Sequence, residues 1–170
     1  MTDVGRGPIG RVGAWRGRAM ALAGLAVLLM LPTARADSSF GASSPLTILR
    51  AVKRDRYAIS EGRGGRQLYV FVDPNCPFCH RLFQRLQPLI GPHHLTVHWI
   101  VAGFLRATSA GKAVAILGAR GLAANNRLLA MTGPELVPTL LYRNTAGRVV
   151  MHQGVPLKPH GLFWTIHAIR

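Results

Sequence analysis

Cysteine and acidic residues are both scarce in this chain of 170 residues, which has 2 Cys and 6 Asp or Glu. Two cysteines are too few for a small domain held together by disulfides, and too few for a zinc site built from four cysteines. The 19 Gly and 11 Pro follow no short period, which excludes a collagen-like chain. Because 49% of the residues are hydrophobic, the chain is not of the disordered class, and its length predicts one globular domain.

The shortage of acids leaves a strongly basic chain, with 21 Lys or Arg and a formal net charge of +15. Such a charge is typical of nucleic-acid-binding proteins, so the position of the cations matters. Six of them lie between Arg50 and Arg66, where Tyr57 is the one aromatic residue that could stack on a base. The segment is therefore predicted to be a solvated arm that attracts an acidic partner or a membrane surface, and no nucleic-acid partner is expected.

A hydrophobic run long enough to cross a membrane is missing as well. The apolar run Ala19–Leu31 has 13 residues, whereas a spanning helix needs about 20. The run follows an arginine-rich start and precedes Ala34-Arg35-Ala36, a pattern of small residues that a signal peptidase reads. Residues 1–36 are predicted to be a cleaved secretory signal peptide, which leaves no stable membrane anchor. The predicted location is a bacterial periplasm, an oxidising compartment for thiols.

The remaining chain alternates strand-like and helix-like patterns, which predicts an α/β fold. Residues 37–66 are predicted to be a basic N-terminal arm and linker, and residues 67–170 to be the folded domain. Within the arm, the apolar spacing over Leu46–Ile59 also fits a short amphipathic helix. A parallel β-α-β unit followed by an antiparallel hairpin predicts a mixed β-sheet flanked by helices. The predicted elements are a strand at 68–72, a helix at 76–90, a strand at 95–101, a helix at 109–131 interrupted at Gly118 and Gly121, a hairpin at 137–151 and a closing helix at 162–169.

The two cysteines, Cys76 and Cys79, stand where the first of these strands turns into a helix. Residues three apart at a helix start lie one turn from each other, so their sulfurs can bond or separate with little backbone movement. The first sulfur faces free N–H groups and the positive end of the helix dipole, which stabilise its thiolate. Pro77 fits the first turn, where its missing N–H has no helical partner. The pattern predicts a dithiol in which Cys76 attacks a substrate disulfide and Cys79 resolves the mixed disulfide.

Two other interpretations compete with this redox dithiol. With His80 the motif is also Cys-x-x-Cys-His, the attachment sequence of a c-type haem, and an exported protein can carry an inert disulfide. A haem is disfavoured because the motif follows a β-strand, and an inert disulfide because closing a two-residue loop constrains the chain little. No metal site is expected, because no carboxylate lies near the other clustered histidines, at positions 93, 94 and 98.

Two segments resemble a known family. Leu68–Leu82, with the sequence LYVFVDPNCPFCHRL, resembles the active-site segment of the periplasmic thiol:disulfide interchange proteins of the DsbC/DsbG group, in the thioredoxin-like superfamily. Asn126–Val155 is similar to that family's short helix, cis-proline loop and hairpin. The resemblance implies a thioredoxin-like fold. The segment between Cys79 and Pro138 is shorter than in the family, which implies a reduced helical insertion.

The resemblance also implies roles for individual residues. Cys76 is the implied nucleophile, Cys79 the resolving cysteine, and Val137-Pro138 the loop opposite the disulfide, with a proline that is cis in the family. A cis X-Pro bond is uncommon and is usually a functional feature. Substrate contacts are implied for Val137 and its neighbours, and two residues beside the motif are candidates for tuning the acidity of its thiols. The further substrate-binding candidates are Thr139, Pro77 and Phe78, and the tuning candidates are His80 and Asp73.

The expected function is that of an exported thiol:disulfide oxidoreductase, acting as oxidase, reductase or isomerase on the cysteines of periplasmic client proteins. A membrane or periplasmic redox partner supplies or removes electrons, and no cofactor is needed beyond the Cys76–Cys79 disulfide. Residues 37–66 are too few for the family's N-terminal dimerisation domain, which predicts a monomer. The alternative is a non-catalytic, thioredoxin-like binding module of a secretion or conjugation apparatus, which would use the Val137-Pro138 groove and the basic arm.

Overall fold

A computed structural model describes residues 42–156 and 160–170 of the chain. The predicted signal peptide and the first five residues of the predicted arm lie outside the described residues. The helices and strands, in chain order, are α1 (Pro45–Val52), β1 (Ile59–Glu61), β2 (Arg66–Val72), α2 (Pro77–Ile90), β3 (Leu95–Val101), α3 (Ser109–Ala130), β4 (Thr139–Arg143), β5 (Val149–Gln153) and α4 (Gly161–Ala168).

The strands form one mixed five-stranded sheet in the order β1-β3-β2-β4-β5. The central strand β2 pairs in parallel with β3 and antiparallel with β4. The parallel pair is connected by α2, and β4 and β5 form the antiparallel hairpin. This arrangement confirms the predicted α/β fold with a mixed sheet flanked by helices, because a parallel pair requires a crossover whereas a hairpin needs only a turn.

Helices cover both faces of the sheet, and each face has its own apolar cluster. On one face the side chains of β2 and β3 pack against α2 and α4, as Leu82 and Ile166 show. On the other face they pack against α1 and α3, with Phe71 at the centre. Each fully buried side chain of this size contributes about 1.5–3 kcal/mol to folding. The continuous apolar run in β2 follows from this packing, because a strand buried on both faces has no solvent side.

The segment predicted as a solvated arm and linker instead contributes two elements to the fold. Ser44 caps α1 by accepting a hydrogen bond from the Thr47 N–H, and Leu49 and Val52 are buried in the cluster under β2. β1 then pairs antiparallel with β3 and forms an edge of the sheet. The boundary predicted at residue 67 therefore differs from the structure, in which the same sheet and core include residues well before it. Of the two interpretations of Leu46–Ile59, the short amphipathic helix is correct for Pro45–Val52, within which Arg50 is the one cation.

The segment between β3 and β4 contains one interrupted helix, α3, in agreement with the predicted break. Gly118 causes the break, with φ 72° and ψ 166°, a backbone conformation that residues with a Cβ rarely adopt. Gly121, the other predicted interruption, is helical and lies against the ring of Tyr57. Within residues 42–156 and 160–170, no helix has both the length and the apolar character to cross a membrane.

Candidate active site

Cys76 lies at the start of α2, directly after the turn that follows β2. The turn is closed by the hydrogen bond from the Cys76 N–H to the carbonyl of Asp73, at 3.0 Å. Cys76 is the N-cap residue of the helix, and its Sγ accepts a hydrogen bond from the Cys79 N–H at 3.2 Å. Pro77 occupies the first helical position, as the sequence predicts. The sulfur therefore receives one of the free N–H groups of the helix start, the arrangement that stabilises a thiolate.

The loop before β4 lies against the same sulfur. The Val137–Pro138 peptide bond is cis, and the Cys76 thiol donates a hydrogen bond to the Val137 carbonyl, with 3.6 Å between Sγ and O. The structure thus places the Val137-Pro138 loop opposite the cysteine motif, 61 residues away in sequence. Cys76 is only 4% exposed, so a partner must approach its sulfur along this loop or along the clefts beside it.

Cys79 is buried one helical turn below, and the structure contains both cysteines as thiols. Burial raises the pKa of the Cys79 thiol far above its ordinary value, and the hydrogen bond with Cys76 raises it further. The backbone of Asp73 opposes this effect weakly. Because the neutral form of a buried thiol is favoured, Cys79 keeps its proton under conditions in which an exposed thiol would begin to lose it. The two cysteines, three residues apart, therefore have different environments.

Asp73 is buried beside the motif with its carboxylate fully surrounded by donors. The carboxylate accepts hydrogen bonds from the backbone N–H groups of Asn75, Phe104 and Leu105 and from the Ser109 hydroxyl, at 2.8–3.0 Å. Burial by itself raises the pKa of Asp73, but these four hydrogen bonds outweigh it and hold the pKa below its ordinary value. Asp73 is therefore an internal anion that joins the motif turn to the loop after β3 and to the start of α3.

Asn75 and Ser109 extend this network, and neither was a predicted site residue. The Asn75 side-chain amide donates to the hydroxyls of Thr108 and Ser109, and its carbonyl oxygen accepts from Lys112 Nζ at 2.6 Å. These contacts join residues 33–37 positions apart. The sequence Asp-Pro-Asn indicates a turn, but no local pattern indicates which distant helix the turn will contact.

His80, a predicted tuning residue, does not contact the Cys76 sulfur through its ring. The ring is exposed, and its Nε2 forms a hydrogen bond at 3.1 Å with the Gln84 side chain. His80 does line the cleft that Cys76 and Cys79 share. Nowhere in the part of the chain that the structure describes do three His, Cys, Asp or Glu side chains group together as a metal site would require.

Two clefts flank the motif. The first, of about 490 Å³, lies between β1, β3 and α2 and is lined by both cysteines together with Phe83 and Trp99. The second, of about 520 Å³, runs beside the cis-proline loop and is lined largely by apolar groups. Phe78 and Leu136 both line it, each with about half of its surface exposed. We call this second cleft, lined by residues 78, 136–138 and 152–155, the proline groove.

Of the remaining predicted substrate-binding residues, one is accessible to a substrate and one is buried. Pro77 is exposed beside Phe78. Thr139 differs from the prediction, because its side chain is fully buried and its hydroxyl donates to the Leu136 carbonyl at 2.6 Å. This hydroxyl fixes the shape of the loop and is not available to a substrate. The Pro138 carbonyl is likewise occupied, since it accepts a hydrogen bond from the Gly154 N–H.

A strand, turn and helix with a Cys-x-x-Cys motif, facing a cis-proline loop across a mixed five-stranded sheet, define a class: the thiol:disulfide proteins of the thioredoxin fold. Comparisons with known proteins lead to the same class. The chain is similar to the thiol:disulfide interchange protein DsbG of Pseudomonas aeruginosa, with 25% identity over 130 residues, covering 58% of this chain and 51% of that protein. The chain thus spans about half the length of this curated relative. No protein-family model matches the chain.

Solved structures agree. A disulfide interchange protein from Neisseria gonorrhoeae matches with 25% identity and a TM-score of 0.51, covering 65% of this chain and 93% of that one. The catalytic domain of Proteus mirabilis ScsC matches with 15% identity and a TM-score of 0.56, covering 72% and 93%. The resemblance to the DsbC/DsbG group and the predicted thioredoxin-like fold are therefore confirmed.

Proposed function

We propose that this chain is an exported thiol:disulfide oxidoreductase that acts on the cysteines of periplasmic proteins through Cys76 and Cys79. One observation carries the proposal. The Cys76 sulfur lies at a helix N-terminus, accepts the Cys79 N–H and contacts the Val137 carbonyl of the cis-proline loop. The sulfur therefore lies beside a loop able to hold a partner chain, as nucleophilic attack on a disulfide requires.

In the reducing direction the Cys76 thiolate attacks one sulfur of a client disulfide. A Cys76–client disulfide forms, the client S–S bond breaks, and the second client sulfur leaves as a thiolate. Cys79 then attacks the Cys76 sulfur, and its thiol proton passes to the departing client thiolate. This step forms the Cys76–Cys79 disulfide and releases the first client sulfur, so two electrons have passed to the client. The reverse sequence oxidises a client dithiol, and a redox partner restores the starting state without any other cofactor.

The proline groove is the proposed place for the client segment around the reacting cysteine. Its apolar walls, formed by Phe78, Leu136 and Val155 among others, suit a bulky side chain next to that cysteine. Val137, whose carbonyl accepts a hydrogen bond from the Cys76 thiol, and Pro138 also line the groove. Thr139 contributes indirectly, by holding the loop through its bond to Leu136.

A trapping experiment tests the proposal. In a Cys79→Ser variant the mixed disulfide on Cys76 cannot be resolved, so exported proteins should accumulate as reducible adducts that a non-reducing gel separates. The double variant Cys76→Ser, Cys79→Ser should trap none. If Cys79→Ser traps no adduct while the purified variant remains folded, the proposed activity is wrong, and the alternative of a non-catalytic binding module, which the similar proteins do not favour, would gain support.

The direction of electron flow is a separate question, which the reduction potential of the Cys76–Cys79 pair answers. A potential near about −120 mV would make the protein an oxidase, and one near about −270 mV a reductase. Equilibration with glutathione, followed by alkylation and mass measurement, gives this value. An isomerase needs the reduced form in the periplasm, so refolding of a scrambled disulfide protein by the reduced enzyme measures that activity directly.

A further inference from the structure

A cleft at the opposite end of β2 from the cysteines is lined by several positively charged side chains. It has a volume of about 310 Å³ and lies between the end of α1, the start of β2 and the end of β4. We call it the basal cleft. Its lining residues are Leu49, Lys53, Gly65, Gln67, Tyr69, Arg143 and Arg170.

Three of these seven lining residues are cations, and no Asp or Glu side chain lines the cleft. Arg143 is the last residue of β4, and its Nη1 donates to the Gly147 carbonyl, which leaves its other N–H groups for a ligand. Lys53 is exposed at the end of α1. Three cations around one concavity attract an anion more strongly than the same charges spread over a convex surface, because the concavity focuses their field.

An aromatic pair beside the cleft lies within the field of Lys53. Tyr69 forms part of the floor and stacks on His98 of the neighbouring strand, with 4.5 Å between ring centroids. Burial lowers the pKa of His98, and the charge of Lys53 lowers it further. Lys53 thus contributes positive charge at His98 as well as at the cleft.

We propose that the basal cleft binds a phosphate group, carried either by a free phosphate compound or by a lipid headgroup. A phosphate offers three terminal oxygens and more than one negative charge, which matches two guanidinium groups and an ammonium group. A carboxylate, with two oxygens and a single charge, would leave a cation without a partner. The seven residues of β2 separate the cleft from the cysteine turn by about 20 Å, so an occupied cleft leaves the cysteine end accessible.

Titration with inorganic phosphate, monitored by NMR at constant ionic strength against chloride, tests the site in the full chain. Saturable shifts are expected for residues of the basal cleft, including Tyr69. Lys53→Gln and Arg143→Gln should each weaken phosphate binding at least about fivefold, since each removes charge-assisted hydrogen bonds. Arg120→Gln is the matched control, because Arg120 is exposed on α3 and should leave the affinity within about twofold. Lys53→Gln keeps the test valid if Arg143→Gln fails to fold.

Vesicles distinguish the two sources of phosphate. Sedimentation with phosphatidylglycerol in phosphatidylcholine that Lys53→Gln weakens and Arg120→Gln does not would assign the site to a lipid headgroup. Saturable binding of inorganic phosphate without such sedimentation would assign it to a free compound. The proposal is overturned if neither probe binds saturably, or if Arg120→Gln reduces binding as much as Lys53→Gln, because the effect is then one of overall charge.

Discussion

The two ends of strand β2 differ in the sign and in the burial of their charges. At its C-terminal end the charge is internal: the Asp73 carboxylate is buried and is balanced by four neutral donors. At its N-terminal end the charges are cations around the basal cleft, and no acidic side chain lines that cleft. A buried, fully bonded anion holds elements together, whereas surface cations contribute little to folding and act on what approaches them. Substitutions at the first end should therefore change stability and thiol reactivity, and those at the second should change binding.

The largest expected effect comes from Asp73→Ala. The substitution leaves three backbone N–H groups and the Ser109 hydroxyl without their acceptor in a buried place, at a cost of about 3 kcal/mol or more in the free energy of unfolding. Urea unfolding of the reduced protein measures this loss. Asp55→Ala is a matched control, because Asp55 accepts one hydrogen bond, from the Tyr57 N–H, and should cost far less. Equal losses for the two variants would contradict the assigned role of the Asp73 network.

The same carboxylate predicts an acid dependence. Because the folded protein holds the pKa of Asp73 below its ordinary value of 3.8, its contribution to stability is complete above that value. The contribution is lost as the pH falls through the lower, folded-state pKa. Asp73→Asn, which cannot ionise, should show a flatter loss of stability in this acid range than the native chain. A parallel loss in both proteins would assign the acid sensitivity to other groups.

The next effect concerns Cys79 at alkaline pH. Since burial raises the pKa of this thiol, the neutral form stabilises the fold up to the ordinary thiol value near 9. Above that pH the unfolded chain ionises first, and the reduced protein should lose up to about 1.4 kcal/mol of stability per pH unit. Cys79→Ala should lack this part of the slope between pH 9 and 10. If the native and variant slopes coincide there, Cys79 is not the buried neutral thiol described above.

A smaller effect is expected on the rate at which a client peptide reacts with Cys76 beside the proline groove. Phe78→Ala removes a half-exposed ring that lines the groove. Mixed-disulfide formation with an apolar cysteine peptide should slow by about fivefold, because the variant loses about 1 kcal/mol of apolar contact with the peptide. Phe83→Ala is the matched control, because Phe83 is similarly exposed but lines the other cleft beside the motif. Stopped-flow trapping in the Cys79→Ser background compares the rates. Equal slowing by Phe83→Ala would contradict a client site confined to the proline groove.

The same contrast explains what the sequence could predict. Cys76, Cys79, the strand before them and the hairpin after them follow from local patterns, because spacing decides which face each residue occupies. The partners of Asp73 could not be predicted, since Phe104, Leu105 and Ser109 contact it from 31 to 36 positions away.

The N-terminal end of β2 was harder to predict still. Helix α1 has the apolar spacing of an amphipathic helix, but its burial depends on a sheet face formed by later strands, which local spacing does not show. For Thr139 the sequence predicted a substrate contact that the structure does not have. A residue next to a functional proline suggested a substrate contact, but the backbone direction turns its hydroxyl inward, toward the Leu136 carbonyl.

The smallest predicted effect lies at the basal end. Lys53→Gln removes a positive charge that lowers the pKa of His98, so the His98 pKa should rise toward its ordinary value. The rise is limited because burial, which the substitution leaves in place, is the larger cause. Titration of the His98 ring proton by NMR measures it, with Arg120→Gln as a control that should leave it unchanged. An unchanged His98 in Lys53→Gln would mean that the ammonium group is directed away from the Tyr69–His98 pair. A rise, with Cys79 unaffected, would show that the charges at the two ends of β2 act independently.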